Sequence, residues 1–149
     1  MKSLALLVEG ISAIRRTPTG KNSQELSAKD KEITASLKAA GVSFKVPAAV
    51  SQAAKKGLSL RAERAKDTER PGGTDIGVAR AELLSKGEIT YYGVKRMRGY
   101  FTRHQSDRSA EGWGDNENPS PGWVAWLLWG GDEGFAWAES LWKEIEKQG

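Results

Sequence analysis

Ser120-Pro121-Gly122-Trp123-Val124-Ala125-Trp126-Leu127-Leu128-Trp129-Gly130-Gly131-Asp132 is the stretch that decides the fold. Serine followed by proline is a helix start: an N-cap oxygen, then a residue whose missing N–H would have had no intrahelical partner. Residues 122–129 are apolar nearly all round, which predicts a central, buried helix rather than an amphipathic one at the surface. Gly130-Gly131 stop it. Asp132 is placed to cap a last helix over residues 133–147, with Phe135, Ala138, Leu141, Trp142 and Ile145 as its inner stripe. All six tryptophans lie between Trp113 and Trp142, and in a chain this small they read first as core volume, with a base-stacking or sugar-binding platform as the alternative. Trp126 and Trp129 sit in apolar surroundings that favour burial, whereas Trp113 lies in a polar loop and suits a partner surface or a lid.

Working back toward the N-terminus, residues 106–121 are rich in Gly, Asn, Asp and Pro and read as a loop. Before it, Thr90 is placed to cap a helix over 91–105 in which Val94, Met97, Phe101 and His104 recur at intervals of three, four and three. Lys95, Arg96, Arg98 and Arg103 project from its sides and back, making it the most basic helix of the chain. A further helix is expected over 75–86, capped by Thr74 and ended by Gly87, with Ile76, Ala79 and Leu83 facing inward, Val78 and Leu84 as further candidates for that face, and Arg80 either exposed or paired with an acid. Arg70-Pro71-Gly72-Gly73 forms the turn before it. Residues 48–67 are rich in Ala, Lys, Arg, Glu and Leu and read as a helix opened by Pro47, with Gly57 as a break or kink and Arg61 and Arg64 on a basic edge.

Residues 15–44 are polar, lysine-bearing and poor in aromatics, with only a weak helical pattern around 24–40, so they are expected to form a linker or arm. Ahead of them Leu4, Leu7, Val8, Ile11 and Ile14 recur at helical spacing as a short docking segment. No sustained period-two pattern stands out. The expected architecture is therefore all-α: a small helical bundle over 47–149 with a Trp-rich C-terminal core built on Met97, Phe101, His104, Trp126, Trp129 and Trp142, and an extended arm over 1–46.

The chain of 149 residues has no cysteine and a single histidine, His104, which excludes thiol nucleophiles, disulfides, cysteine-bound clusters and multi-imidazole zinc sites. Only an oxygen-rich magnesium or calcium site would remain open to it. The run Leu4–Val8 is far short of the ~20 residues that span a bilayer, and it lacks the h-region and cleavage site of a secretory signal, so neither membrane insertion nor secretion is expected. Charge is unevenly placed. Residues 1–109 carry 21 Lys+Arg against 11 Asp+Glu, whereas residues 110–149 carry 2 against 8, so a front of net +10 precedes an end of net −6. A basic front suits nucleic acid, an acidic protein surface or an anionic membrane surface, and the acidic end can fold back on it or face another partner.

The ordered set Arg70-x-Gly-Gly-Thr74, Gly77-Val-Ala-Arg-Ala81, Met97-x-x-Tyr-Phe-x-Arg-His104, Asp107, Pro121-Gly-Trp-Val-Ala-Trp-Leu-Leu-Trp-Gly-Gly-Asp132 and Trp137 resembles a small module of tailed bacteriophages. That module occurs alone or attached to head-region proteins, and its biochemical role is poorly defined. The resemblance covers about residues 48–142. Pro71 beside the glycines and Gly93 early in its helix depart from the pattern. The resemblance implies a virion setting, with synthesis in the host cytoplasm.

Chemistry is weakly signalled. His104 and Asp107 at i, i+3 could orient an imidazole for nucleophilic catalysis, but a helix-end histidine bonded to Asp107 and packed on aromatics explains them as well. Gly72-Gly73-Thr74 lacks the lysine of a phosphate loop and reads as a turn and cap. No catalysis and no cofactor are expected. Two functions follow: a capsid-associated accessory, cement or decoration protein, docking through Leu4, Leu7, Val8 and Ile11 and able to form an oligomer on a shell; or a nucleic-acid-binding protein with Arg61, Arg64, Arg80, Lys95, Arg96, Arg98 and Arg103 over phosphates or an acidic surface.

Overall fold

The structure is a computed structural model that describes residues 24–149; the docking segment with Leu4, Leu7, Val8 and Ile11 lies outside the described residues. Six α-helices and one 3-10 turn make up the described residues, with no strand among them: α1 Ala28–Ala39, α2 Ala48–Ala65, α3 Asp75–Ser85, α4 Tyr91–Arg103, the 3-10 turn Gln105–Ser109, α5 Pro121–Leu128 and α6 Gly131–Glu146. This is the all-α bundle expected.

Local chemistry sets most boundaries. Ser120 Oγ accepts the Trp123 N–H at 3.1 Å and Pro121 occupies the first helical position of α5. Thr74 Oγ1 accepts the Gly77 N–H at 3.3 Å to open α3, and Gly87, at φ +78°, follows its end. Pro47 is the N-cap of α2 rather than its first helical residue. Asp132 is not the cap of α6. That helix starts two residues earlier than expected, at Gly131, behind Gly130 in the left-handed region at φ +113°, and the Asp132 carboxylate instead accepts the Trp126 Nε1–H at 2.9 Å.

The expectation of an arm reaching to residue 46 is corrected. Residues 28–39 form α1 and residues 42–46 follow it outside any helix or strand, with Ile33, Leu37, Val42, Phe44 and Val46 all part of the core. The buried stripe of α1 is Asp30, Ile33, Thr34 and Leu37. Its spacing is regular, but two of its four members are polar, so hydrophobic periodicity barely registers. Val42, Phe44 and Val46 are buried while Ser43 and Lys45 are exposed, a five-residue alternation without a paired ladder.

The inward face of α3 is corrected in part: Leu84 is buried as the sequence allows, but Ile76 is not. Gly77, Arg80, Ala81 and Leu84 are buried, whereas Ile76 is among the more exposed large apolar residues. Apolar side chains surround this helix, so periodicity cannot choose a face; the choice falls to Gly77, which lies against Trp129 and Leu128.

Gly57 does not break α2, which runs unbroken to Ala65. A Cβ there would meet the backbone nitrogen of Leu128 at 2.7 Å and the Leu127 carbonyl carbon at 3.0 Å, so glycine allows α5 to lie directly on α2. Gly57→Ala gains about 1 kcal/mol of helix propensity but must push α5 away from α2, and overpacking of this kind costs about 1–3 kcal/mol. The expected result is a net loss of stability, read as a lower urea midpoint with an unchanged m-value.

Trp126 is the centre of the core, edge-to-face with Phe101 at 4.7 Å, Trp113 at 5.1 Å and Phe135 at 5.9 Å between centroids. Met97, Phe101 and Trp129 are buried with it. Trp142 packs at the margin, half-buried and stacked on Tyr91. His104 is corrected from core to margin: its side chain is 40% exposed, stacked on Tyr100 with its centroid at 4.4 Å, because α4 ends at Arg103 and the ring sits on the helix end.

Candidate functional site

The fold divides the seven basic residues singled out in the sequence. Arg61 Nε donates to the Gly72 carbonyl at 2.9 Å; Arg64 donates to Pro71 O at 3.2 Å and to Pro119 O at 2.8 Å. Both guanidinium groups staple the 70–74 turn, and Arg64 adds the end of the second loop. Arg80 is corrected outright as a surface contact. Its side chain is 2% exposed, bonded through Nη2 to Glu25 Oε1 at 2.5 Å, and its guanidinium lies over the Trp129 ring at 5.5 Å. Arg96 approaches the same carboxylate at 3.7 Å. Of the two alternatives for Arg80, pairing with an acid is the one realised, and the acid lies 55 residues away.

Lys95, Arg98 and Arg103 come together. With Gly99 and Thr102 they line a shallow groove of about 340 Å³ on the outer side of α4. Helical spacing explains the grouping: i, i+3, i+4, i+7 and i+8 share one face. Gly99 makes the notch, and Arg103 folds back across it, its Nη1 lying 3.0 Å from where a Cβ would stand. The Lys95 ammonium sits 5.6–6.0 Å from the Tyr91, Tyr92 and Trp142 ring centroids, within reach of cation–π attraction. Arg98 lies 5.1 Å over Trp142 and holds the Glu139 carboxylate with two donors, Nε at 3.0 Å and Nη2 at 3.3 Å. That pair links α4 to α6, and Arg108 approaches Asp132 at 3.9 Å, so some of the acidic end does fold back onto basic residues. Arg103 is exposed.

A second face carries the opposite charge. Glu111, Asp115 and Glu117 are exposed on the loop between the 3-10 turn and α5. The loop is ordered by its own bonds: Asp115 Oδ1 accepts the Glu117 N–H at 2.9 Å and the Asn118 N–H at 3.0 Å, and Ser120 N donates to Gly112 O. These backbone donors, Asn118 first, hold the Asp115 carboxyl below its ordinary range. Trp113 anchors the loop from beneath, edge-to-face with Trp123 at 5.0 Å, and Trp123 Nε1 donates to Asn116 Oδ1 at 3.1 Å. Trp113 is thus a half-buried anchor.

His104 Nδ1 and Asp107 Oδ2 are 3.0 Å apart, the i, i+3 contact the spacing implies. The imidazole belongs to an aromatic column: His104 on Tyr100, Tyr100 on Trp129 at 4.6 Å and 2°, and the Arg80 guanidinium over Trp129. Burial, followed by the Asp107 charge, pushes the Tyr100 phenol above its ordinary value.

Sequence reasoning missed Asp30. It is fully buried, and its carboxylate accepts Tyr92 N–H at 2.9 Å, Leu26 N–H at 2.8 Å and the Thr90 hydroxyl at 2.5 Å. Ser27-x-x-Asp30 has the spacing of a helix-capping pair, a signal present in the sequence. Glu25 and the Gly99 notch carry no local signal of comparable strength. Among the described residues no helix is long and apolar enough to cross a membrane, and no group of three His, Asp or Glu side chains is placed to hold a metal. Compared with protein-family models, with curated proteins and with solved structures, the chain matches none.

Proposed function

We propose that this chain is a non-enzymatic accessory protein of a tailed-phage particle that works by protein–protein contact, most naturally as a capsid-associated cement or decoration protein. The observation that supports the reading is the sorting of charge by the fold. Arg61, Arg64, Arg80 and Arg98 serve internal contacts, whereas Arg103 stands exposed at the α4 groove and Glu111, Asp115 and Glu117 stand exposed on one ordered loop. Two fixed faces of opposite sign suit a protein that bridges unlike surfaces, because complementary potentials orient the encounter and set register. The phage setting comes from the sequence resemblance over residues 48–142, and the apolar spacing of Leu4, Leu7, Val8 and Ile11 supplies a docking segment.

The same groove favours a second reading, contact with a nucleic-acid backbone through Lys95, Arg98 and Arg103. The two are separated by titrating salt against the full chain with empty phage-like capsids and, in parallel, with duplex DNA. Capsid uptake that saturates at a fixed copy number, with DNA binding gone near physiological salt, is the expected result. Leu7→Asp/Ile11→Asp in the full chain should then weaken capsid uptake. Tight DNA binding with a steep salt slope and no capsid uptake would overturn the first reading in favour of the second.

A further inference from the structure

We infer that Arg80, Gly93 and Arg96 build a carboxylate-binding site, which Glu25 fills as a tethered and displaceable ligand. Arg80 supplies the central charge. Its Nη2 meets Glu25 Oε1, while its Nε and Nη1 are buried without a hydrogen-bond partner among the described residues. A guanidinium is a planar fork of donors matched to the two oxygens of a carboxylate, and here most of the fork is unused. Arg96 adds a second cation 3.7 Å from the same Glu25 oxygen. Gly93 makes the room. It stands in the first turn of α4, where glycine weakens the helix relative to alanine. A Cβ there would lie 2.8 Å from Glu25 Oε2 and 3.0 Å from Arg80 Nη1, so the space that glycine leaves is the space the carboxylate and guanidinium occupy.

The residue that follows Glu25 carries strain. Leu26, at φ +65°, is the one non-glycine residue with a positive φ among the described residues, and its side chain is 46% exposed, so burial does not offset the strained backbone. Two contacts hold it there: the Glu25 carboxylate on Arg80, and the Leu26 N–H donating to Asp30 Oδ2 at 2.8 Å. A carboxylate supplied from outside the chain satisfies Arg80 without imposing that strain, which is what makes Glu25 displaceable. The ligand class is therefore a carboxylate, presented either by a small organic acid or by the acidic side chain of a peptide. This site lies away from the α4 groove and does not depend on the phage setting.

The test is the thermal midpoint of full-length Glu25→Ala, followed by circular dichroism at pH 7 in sodium acetate and in sodium chloride of matched ionic strength. Losing Glu25 leaves a buried cation uncompensated, so the midpoint in chloride should fall by about 10 °C or more. Acetate should return about 3 °C or more of this, the gain rising with the logarithm of its concentration above the dissociation constant. If Glu25→Ala is unfolded in chloride, return of its helical signal in acetate is the same readout. The blocked tripeptide Gln-Glu-Leu, residues 24–26 of the chain, forms a second arm. Larger recovery per mole than with acetate identifies an acidic peptide as the ligand, and recovery by acetate alone identifies a small organic acid. Glu25→Gln keeps an acceptor on Arg80 and fills the space, so it should fold and ignore acetate. Arg80→Met added to Glu25→Ala should abolish the acetate response, as should Gly93→Ala. Equal effects of acetate and chloride on Glu25→Ala overturn the inference. So does a Glu25→Ala chain as stable as the parent, an acetate response that survives Arg80→Met, or one of equal size in Glu25→Gln.

Discussion

Trp126→Ala should lower the free energy of unfolding by about 3–5 kcal/mol. Trp126 is fully buried and touches Phe101, Trp113 and Phe135, so its removal opens a void ringed by rigid aromatic side chains that cannot collapse into it. It also removes the indole donor of the Asp132 carboxylate, a smaller loss because that carboxylate is exposed to water. Against a total stability of about 5–15 kcal/mol for a domain of this size, the loss is large enough to populate unfolded chain at moderate temperature. Urea denaturation followed by circular dichroism measures it free of the five remaining tryptophans. Trp126→Phe keeps most of the volume and loses the Nε1 bond, and should cost clearly less than the alanine variant. Equal losses in the two variants would show that the hydrogen bond, not the volume, holds the site.

Asp30→Ala is expected to be comparably damaging, about 3 kcal/mol or more, for a different reason. It leaves the N–H groups of Tyr92 and Leu26 and the Thr90 hydroxyl without their acceptor, and each stranded donor costs about 1–3 kcal/mol. Relief of the buried carboxylate offsets some of that sum. Burial pushes the Asp30 carboxyl above its ordinary value of 3.8, against the opposing pull of the Thr90, Tyr92 and Leu26 donors, while nearby Glu25 adds to the rise. The sign follows. Between the unfolded value and the raised native value, the native state holds more protons than the unfolded state, so this group's contribution is full below 3.8 and is lost as pH rises through the native value. Stability measured from pH 3 upward for the parent chain and for Asp30→Asn should give a difference that declines across that window and is flat beyond it. A difference that grows with pH would mean the three donors outweigh burial.

How much of this could be read beforehand depends on how local the cause is. Ser120-Pro121, Thr74 and Gly87 act on their own neighbours, and each marks the boundary its chemistry implies. The buried centre of α5 is equally legible, because an all-apolar helix has no surface face to offer. α1 escapes sequence reasoning because its inward stripe contains Asp30 and Thr34, whose burial is compensated largely through Tyr91, Tyr92 and Thr90 some sixty residues later. The same distance rule governs the site. Lys95, Arg98 and Arg103 are identifiable by type, but whether a cation faces water or the interior is decided by Glu25, Glu139 and the carbonyls of Pro71, Gly72 and Pro119. Gly99, which turns a basic helix face into a groove, is a residue whose meaning comes only from the long side chains on either side of it.

The bonds from Asp30 and Thr34 to residues 90–92, and from Glu25 to Arg80, also fix an order of events during synthesis. α1 is made first, yet the groups that hold it are made some fifty to sixty residues later, so it leaves the ribosome with a polar stripe and nothing to bury it against. Closing so long a loop is entropically costly until α4 exists to receive it. The first helix of the described residues therefore cannot gain these bonds until α4 has been translated.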